Sequence, residues 1–283
     1  MVHLDEKIKK LKKYFSQRTD ILMAFVFGSY AKGQEMSESD LDVAVYFRPQ
    51  GRSLEWEEIR EYEGEDLIWS DVERLMGLKT DLIILNRAAA TLAYSVLQEG
   101  IPIVIKDHSL YLRFLLMISE AAQYFREFTR EFWQIKQRSL SLSETDKDRL
   151  IRIADFLEME LKDQSQFTNL QQSNFEKDAT LRRNVERWVE NIVNASIDLA
   201  KILLAGEKKK IPETYRQIME SLSSLENFPI DLTQRLGEFT KLRNILAHEY
   251  LDIRFQQIQK FLHEGIPHYK ILLVFIKNVL KAS

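Results

Sequence analysis

The chain has no cysteine, which excludes disulfides and thiolate metal ligands. Its five histidines are scattered without zinc-site spacing, so a resident metal is expected to be held by oxygen. Nine glycines and five prolines among 283 residues leave long stretches with no helix breaker. Long apolar runs are missing too: the longest, ILMAFVF from Ile21 to Phe27, is far too short to span a bilayer and has room for one strand. The N-terminal MVHLDEKIKKLKKYF is charged and amphipathic without an apolar signal core, so a cytoplasmic location with no membrane partner is expected. There is no excess of one charge either. Net charge is -3 and neither half is basic, so nucleic-acid binding requires a local patch and does not follow from the whole-chain field.

What is present is the balance of a folded protein, with 45% hydrophobic and 29% charged residues in a chain long enough for two ordinary domains. Residues 5 to 18 have a helical pattern. Ile21–Phe27, Leu41–Phe47, Asp81–Leu85 and Ile101–Ile105 then read as strands with helices between them. Beyond Ile105 the strand signals stop, and Ser109 to Leu140 contains no Gly or Pro, which predicts one long helix. On it Tyr111, Phe114, Ile118, Ala121, Phe125, Phe128, Phe132 and Ile135 step by three and four and form a stripe expected to be buried. The stretch SLSLSETDKD, residues 139 to 148, is Ser-rich and carries two helix N-cap spacings, Ser143 to Asp146 and Thr145 to Asp148. A domain boundary is expected there, dividing residues 1–142 from 146–283. Helical patterns follow at Asp148–Leu161, Leu181–Leu204, Ile211–Leu225, Leu232–Tyr250 and Phe255–Leu280. The expected class is α+β: an α/β domain ending in a long helix, followed by an all-α bundle.

The chemistry of the first domain concentrates in GSYAKGQEMSESDLDVAVYF. Gly28 and Ser29 end the first strand, in a turn whose backbone N–H groups and hydroxyl suit phosphate. Asp40 and Asp42 are two apart at the start of the second strand, so both carboxylates point to one face and can share a hard cation. Asp81 opens a third strand; if that strand lies beside the second, a three-acid cluster results. Oxygen-only ligands suit Mg²⁺, which keeps coordination positions for water and substrate phosphate, and Lys32 adds a positive charge nearby. These residues resemble the minimal nucleotidyltransferases of the DNA polymerase β superfamily, marked by Gly-Ser, a gap and Asp-x-Asp. The resemblance covers residues 1 to about 140 and implies ATP with Mg²⁺, and transfer of AMP to a hydroxyl.

A second constellation lies in KLRNILAHEYLDI, where Arg243, His248 and Tyr250 end a helical pattern. On an unbroken helix Arg243 and Tyr250 share a face and His248 lies well round from it, so a break just after His248 is needed to bring all three to one cleft. Guanidinium and imidazole together suit metal-independent RNA cleavage, with His248 as general acid or base and Arg243 stabilising the charged intermediate state. A phenol is a poor base at neutral pH, so the residues alone leave the role of Tyr250 open, an acceptor being one reading. Residues 146 to 283 resemble the HEPN domains of the HepT type, helical RNases with an Arg, four to six residues, His, x, Tyr motif, and ERWVENIVNASIDLAKILL is similar to their core helix. That resemblance implies RNA as substrate and a homodimer with a composite cleft. The two halves together resemble the MntA and HepT antitoxin and toxin pair, usually separate chains, in which AMP is added to the motif tyrosine. A single-chain version that adenylylates Tyr250 and silences its own RNase is the expectation. The alternatives are an aminoglycoside-type nucleotidyltransferase with a helical substrate domain, and a non-catalytic HEPN half that only dimerises or binds RNA.

Overall fold

The computed structural model describes residues 2–33, 40–51, 53–138, 142–248 and 251–282, which divide into two compact units, 1–124 and 125–283. In the first unit, helix α1 (Val2–Gln17) leads into strand β1 (Ile21–Phe27), a single helical turn α2 (Gly28–Ala31) and strand β2 (Leu41–Phe47). Helix α3 (Glu65–Met76), strand β3 (Thr80–Ile84), helix α4 (Ala90–Glu99) and strand β4 (Ile101–Ile105) follow. Among the described residues the strands form one mixed sheet in the order β3-β2-β1-β4. β1 runs antiparallel to β2 and β4, whereas β2 and β3 are parallel. The apolar runs that marked the strands are nearly continuous because both sheet faces are covered. Leu41, Val43, Val45 and Phe47 pack with Leu11 and Phe15 of α1 and with Ile68 and Val72 of α3. Ala44 and Tyr46 pack with Ala93 and Val96 of α4 and with Phe114 and Ile118 further along the chain.

The segment between β2 and α3 is pinned by a buried carboxylate. Glu55 accepts hydrogen bonds from the backbone N–H groups of Gln50 and Gly51 at 2.8 and 2.7 Å, from Tyr62 at 3.1 Å, and from Arg60. Burial pushes its pKa up, but the hydrogen bonds from Arg60 and from these N–H groups outweigh burial, so Glu55 stays below the usual carboxylate range.

Helix α5 (His108–Gln137) is the long helix the spacing predicts, and its stripe is buried from Phe114 to Ile135. The division between units falls within this helix, between Tyr124 and Phe125, ahead of the Ser-rich stretch where sequence reasoning put it. The physical reason is the continuous stripe: Phe114 and Ile118 belong to the core of the first unit, and Phe125, Phe128, Phe132 and Ile135 to that of the second. Each such buried aromatic or aliphatic side chain contributes about 1.5–3 kcal/mol.

The rest of the second unit is helical: α6 (Glu144–Lys162), α7 (Gln172–Lys177), α8 (Ala179–Gly206), α9 (Tyr215–Ser221), α10 (Ile230–Phe239), α11 (Leu242–His248), α12 (Leu251–Lys260) and α13 (Ile266–Ala282). Ser143 caps α6, accepting a hydrogen bond from the Asp146 N–H, as its spacing predicts; such a cap is worth about 1 kcal/mol. Helix α8 is the spine, buried almost throughout from Ile192 to Gly206. Its Lys201 is buried, but its ammonium reaches Glu131 at 2.7 Å and Asp198 at 2.8 Å. The class is α+β, as expected. Among the described residues no helix is long and apolar enough to cross a membrane.

Three helical expectations are corrected in detail. The pattern Ile211–Leu225 is α-helical only over Tyr215–Ser221 and ends in a 3₁₀ turn, Leu222–Ser224. The pattern Leu232–Tyr250 is not one helix: α10 and α11 are separated at Thr240 and Lys241, where the Thr240 hydroxyl donates to the Gly237 carbonyl at 2.8 Å. A hydroxyl bonding back into its own last turn competes with helix continuation. The pattern Phe255–Leu280 is interrupted by a π-helical turn, Phe261–Gly265. There Gly265 packs so tightly that a Cβ would meet Phe261 at 3.0 Å and Phe239 at 3.2 Å.

Candidate functional site

The first site is assembled by the sheet. In the β2–β3 register Asp42 lies directly opposite Asp81, and in the β1–β2 register Phe27, the residue before Gly28, lies opposite Asp42. Asp40 immediately precedes β2. The conditional expectation that the third strand lies beside the second is therefore met, and Asp40, Asp42 and Asp81 lie at the same end of adjacent strands. Asp42 is half-buried, while Asp40 and Asp81 are exposed.

Gly28 has φ +69°, and a Cβ built there would stand 2.0 Å from Asp42 Oδ2. Only glycine fits: the backbone conformation disfavours L side chains, and the space is taken by the carboxylate. Instead of an open turn, residues Gly28 to Ala31 make one helical turn, with Tyr30 buried beneath it and Ser29 half-buried.

Electrostatically the cluster is unbalanced. The Asp42 carboxyl is raised above the usual range first by burial, then by the charges of Asp81 and Asp40. Among the described residues no three His, Asp or Glu side chains are gathered closely enough to hold a metal as they stand. An oxygen-only set of neighbouring carboxylates suits a hard divalent cation, whose charge would offset the burial and like charges that raise Asp42.

The surroundings hold residues that pattern reading missed. Trp69 of α3 donates its indole N–H to the Thr80 carbonyl at 2.6 Å, and Glu73 accepts from the Thr80 N–H at 3.1 Å. The Leu41 N–H donates to the Lys79 carbonyl at 2.8 Å. Together these bonds fix the chain just before Asp42 and just before Asp81; neither Trp69 nor Glu73 stands in a motif that could have signalled the role. Lys32, read as a phosphate cation, is exposed and ion-paired to Glu99 at 2.7 Å.

The second site is built on α11. Leu242, Ile245 and Leu246 are buried and set the face of this short helix. Arg243 is half-buried, with Cζ 4.5 Å from the centroid of the Tyr215 ring. His248 is the last described residue of α11; the break expected just after it, the His248 side chain and Tyr250 lie outside the described residues.

Comparison with known proteins matches two separate stretches of the chain. A family model described as polymerase beta nucleotidyltransferase matches residues 9–109, and one described as ribonuclease HepT-like matches 157–276. The protein adenylyltransferase MntA of Thermococcus cleftensis is 32% identical over 88 residues, covering 31% of this chain and 80% of that protein. A putative protein adenylyltransferase of Methanocaldococcus jannaschii is 33% identical over 82 residues, covering 28% of this chain and 73% of that protein. A crystal structure described as a toxin-antitoxin with AMP-PNP is 18% identical with a TM-score of 0.37, covering 46% of this chain and 94% of that one. By its first unit the chain belongs to the MntA-like protein adenylyltransferases of the polymerase β nucleotidyltransferase class, here joined in one polypeptide to a HepT-like ribonuclease domain.

Proposed function

We propose that the first unit transfers AMP from ATP to Tyr250 and thereby silences RNA cleavage centred on Arg243 and His248. The observation that supports this most directly is the register of Asp42 on Asp81 with Gly28 closed against Asp42. The helical turn at Gly28–Ala31 and the three carboxylates then lie at one end of neighbouring strands. Asp40, Asp42 and Asp81 would hold Mg²⁺, which when bound neutralises the developing charge of phosphoryl transfer. The chain's own residues position the reactants. The Gly28 turn and Ser29 hold the triphosphate, and Lys32 exchanges its exposed partner Glu99 for phosphate. The Tyr250 oxygen attacks the α-phosphorus, the bond to the pyrophosphate oxygen breaks, and a carboxylate of the cluster accepts the phenol proton.

In the second unit, the RNA 2′-hydroxyl attacks the adjacent phosphate. His248 moves the proton and Arg243 stabilises the added charge. AMP on Tyr250, two residues from His248, adds a negative charge where RNA phosphate must enter. Joining both activities in one chain raises the concentration of acceptor at the transferase, and a homodimer through the HepT-like half allows modification between protomers. An aminoglycoside substrate leaves the HepT-like match without a role, and a purely structural second half leaves Arg243 and His248 without one.

The test is genetic. Expression of the Asp40→Ala chain is expected to arrest growth, and adding Arg243→Ala or His248→Ala is expected to restore it. Harmless expression of the Asp40→Ala chain, shown to be unmodified and folded, contradicts the silencing role.

A further inference from the structure

We propose that Tyr215 is a positioning residue for Arg243, so that RNA cleavage by this chain depends on the aromatic ring of a residue outside the Arg–His–Tyr motif. The inference rests on the ribonuclease reading above. Arg243 Cζ stands 4.5 Å from the Tyr215 ring centroid, within the distance at which a guanidinium is drawn to the negative face of a π-system. The ring is a fixed platform. Tyr215 opens α9, is 6% exposed, and meets Phe125 edge-on with centroids 5.7 Å apart. The next turn of α9 is anchored by the fully buried Ile218 and Met219, and its first turn by the Thr214 side chain, which accepts from the Gln217 N–H. Against α10 the fit is close, since a Cβ at Gly237 would meet the Arg216 Cγ at 3.3 Å.

The arrangement has a chemical use that packing alone does not explain. Leu242, Ile245 and Leu246 already anchor α11 in the core, so the helix does not need a guanidinium for its place. An arginine that must meet a phosphate has a long flexible stem and a planar head that donates hydrogen bonds only in its own plane. Contact with the Tyr215 ring holds the head group over one place. A guanidinium held there is positioned before RNA arrives, and a charge that develops in the transition state meets a group that does not have to reorganise. Sequence reading could not find Tyr215, because it lies 28 residues from Arg243 and on a different helix.

The experiment uses the full chain carrying Asp40→Ala, so that no AMP is added, and measures cleavage of single-stranded RNA. Tyr215→Phe keeps the π face and is expected to cleave at the parent rate within about twofold. Tyr215→Leu removes the ring and is expected to lower kcat roughly 3- to 30-fold, the range of one cation–π contact, with KM little changed. Combined with Arg243→Ala, Tyr215→Leu is expected to add no further loss, because both act through one group. Should the Leu variant not fold, Tyr215→Met is the substitute, an apolar side chain of comparable reach without a ring.

Placement is read independently from the Arg243 Nε–H proton by NMR. It is expected upfield from the ring current in the parent and in Tyr215→Phe, and to lose that shift in Tyr215→Leu. A folded Leu or Met variant that cleaves like the parent, a Phe variant as impaired as the Leu one, additive losses with Arg243→Ala, or an unshifted Nε–H proton each overturns the proposal. A parent chain that does not cleave RNA overturns the ribonuclease reading and this inference with it, whereas a cleaving parent with an indifferent Tyr215 overturns this inference alone.

Discussion

Asp42→Asn is expected to lower AMP transfer by roughly two to three orders of magnitude and, in the same chain kept free of divalent cation, to make the fold more stable. The two effects have one cause. Asp42 is half-buried beside Asp81 and just after Asp40, and its carboxyl is raised by burial and by both neighbouring charges. For an acid, a folded-state pKa above the unfolded one means that the fold disfavours the charged form. The penalty is absent below the ordinary carboxylate range, appears as the pH rises through the window between the unfolded and the raised folded value, and is fully present at neutral pH. Asparagine has the same shape without the charge, so it removes the penalty, worth up to about 1 kcal/mol for such a partly exposed cluster. It also removes one of the carboxylates proposed to hold the cation, and so is expected to lower transfer by roughly a hundred- to a thousandfold, the scale of losing one preorganised electrostatic contact. Urea unfolding with a chelator at neutral and at acid pH, beside a transfer assay, checks both. The stability gain is expected at neutral pH only, and a destabilised Asn variant with normal transfer contradicts the assignment.

Gly28→Ala is expected to lower transfer by about a hundredfold or more, whereas Gly33→Ala leaves it unchanged. Both glycines have positive φ, +69° and +65°, so each substitution costs about 1–2 kcal/mol in backbone strain. They differ in what a methyl group meets. At Gly33 there is nothing within 4 Å, but at Gly28 the new atom would stand 2.0 Å from Asp42 Oδ2. One of the two must move, and displacement of a reacting group by about 1 Å is enough to cost two orders of magnitude in rate. Transfer rates and unfolding free energies of the two variants separate strain, which they share, from displacement, which only Gly28→Ala produces. Equal transfer in both contradicts a role for the Gly28–Asp42 contact.

Much of this was legible in the sequence because the signals were local. ILMAFVF and LDVAVYF are strands in any context that buries both faces, and the three-and-four stepping from Phe114 to Ile135 leaves one solution, a buried helical stripe. Asp40 and Asp42 share a face by the period of a strand. What could not be read depends on pairing between distant segments. The Asp81 position required β3 to lie parallel to β2, a choice made by the packing of α3 and not by the residues of DLIIL. Lys32 is paired with Glu99, 67 residues away. The break at Thr240 carries no proline and follows from a hydroxyl turned back on its own helix, whereas the π-helical turn at Phe261–Gly265 lies just before Pro267, which has no N–H to give the helix, with Gly265 wedged between Phe239 and Phe261. The unit division inside α5 was hidden for the opposite reason: a helix whose stripe runs unbroken through two cores gives no local mark at the crossing.

The central claim, that this chain modifies itself, is tested most directly by incubating it with ATP and Mg²⁺ and mapping the product by intact mass and peptide mass spectrometry. The account predicts AMP on the peptide containing Tyr250, and none when Asp40 is replaced by Ala. An unmodified wild-type chain, or AMP found only on another residue, contradicts it.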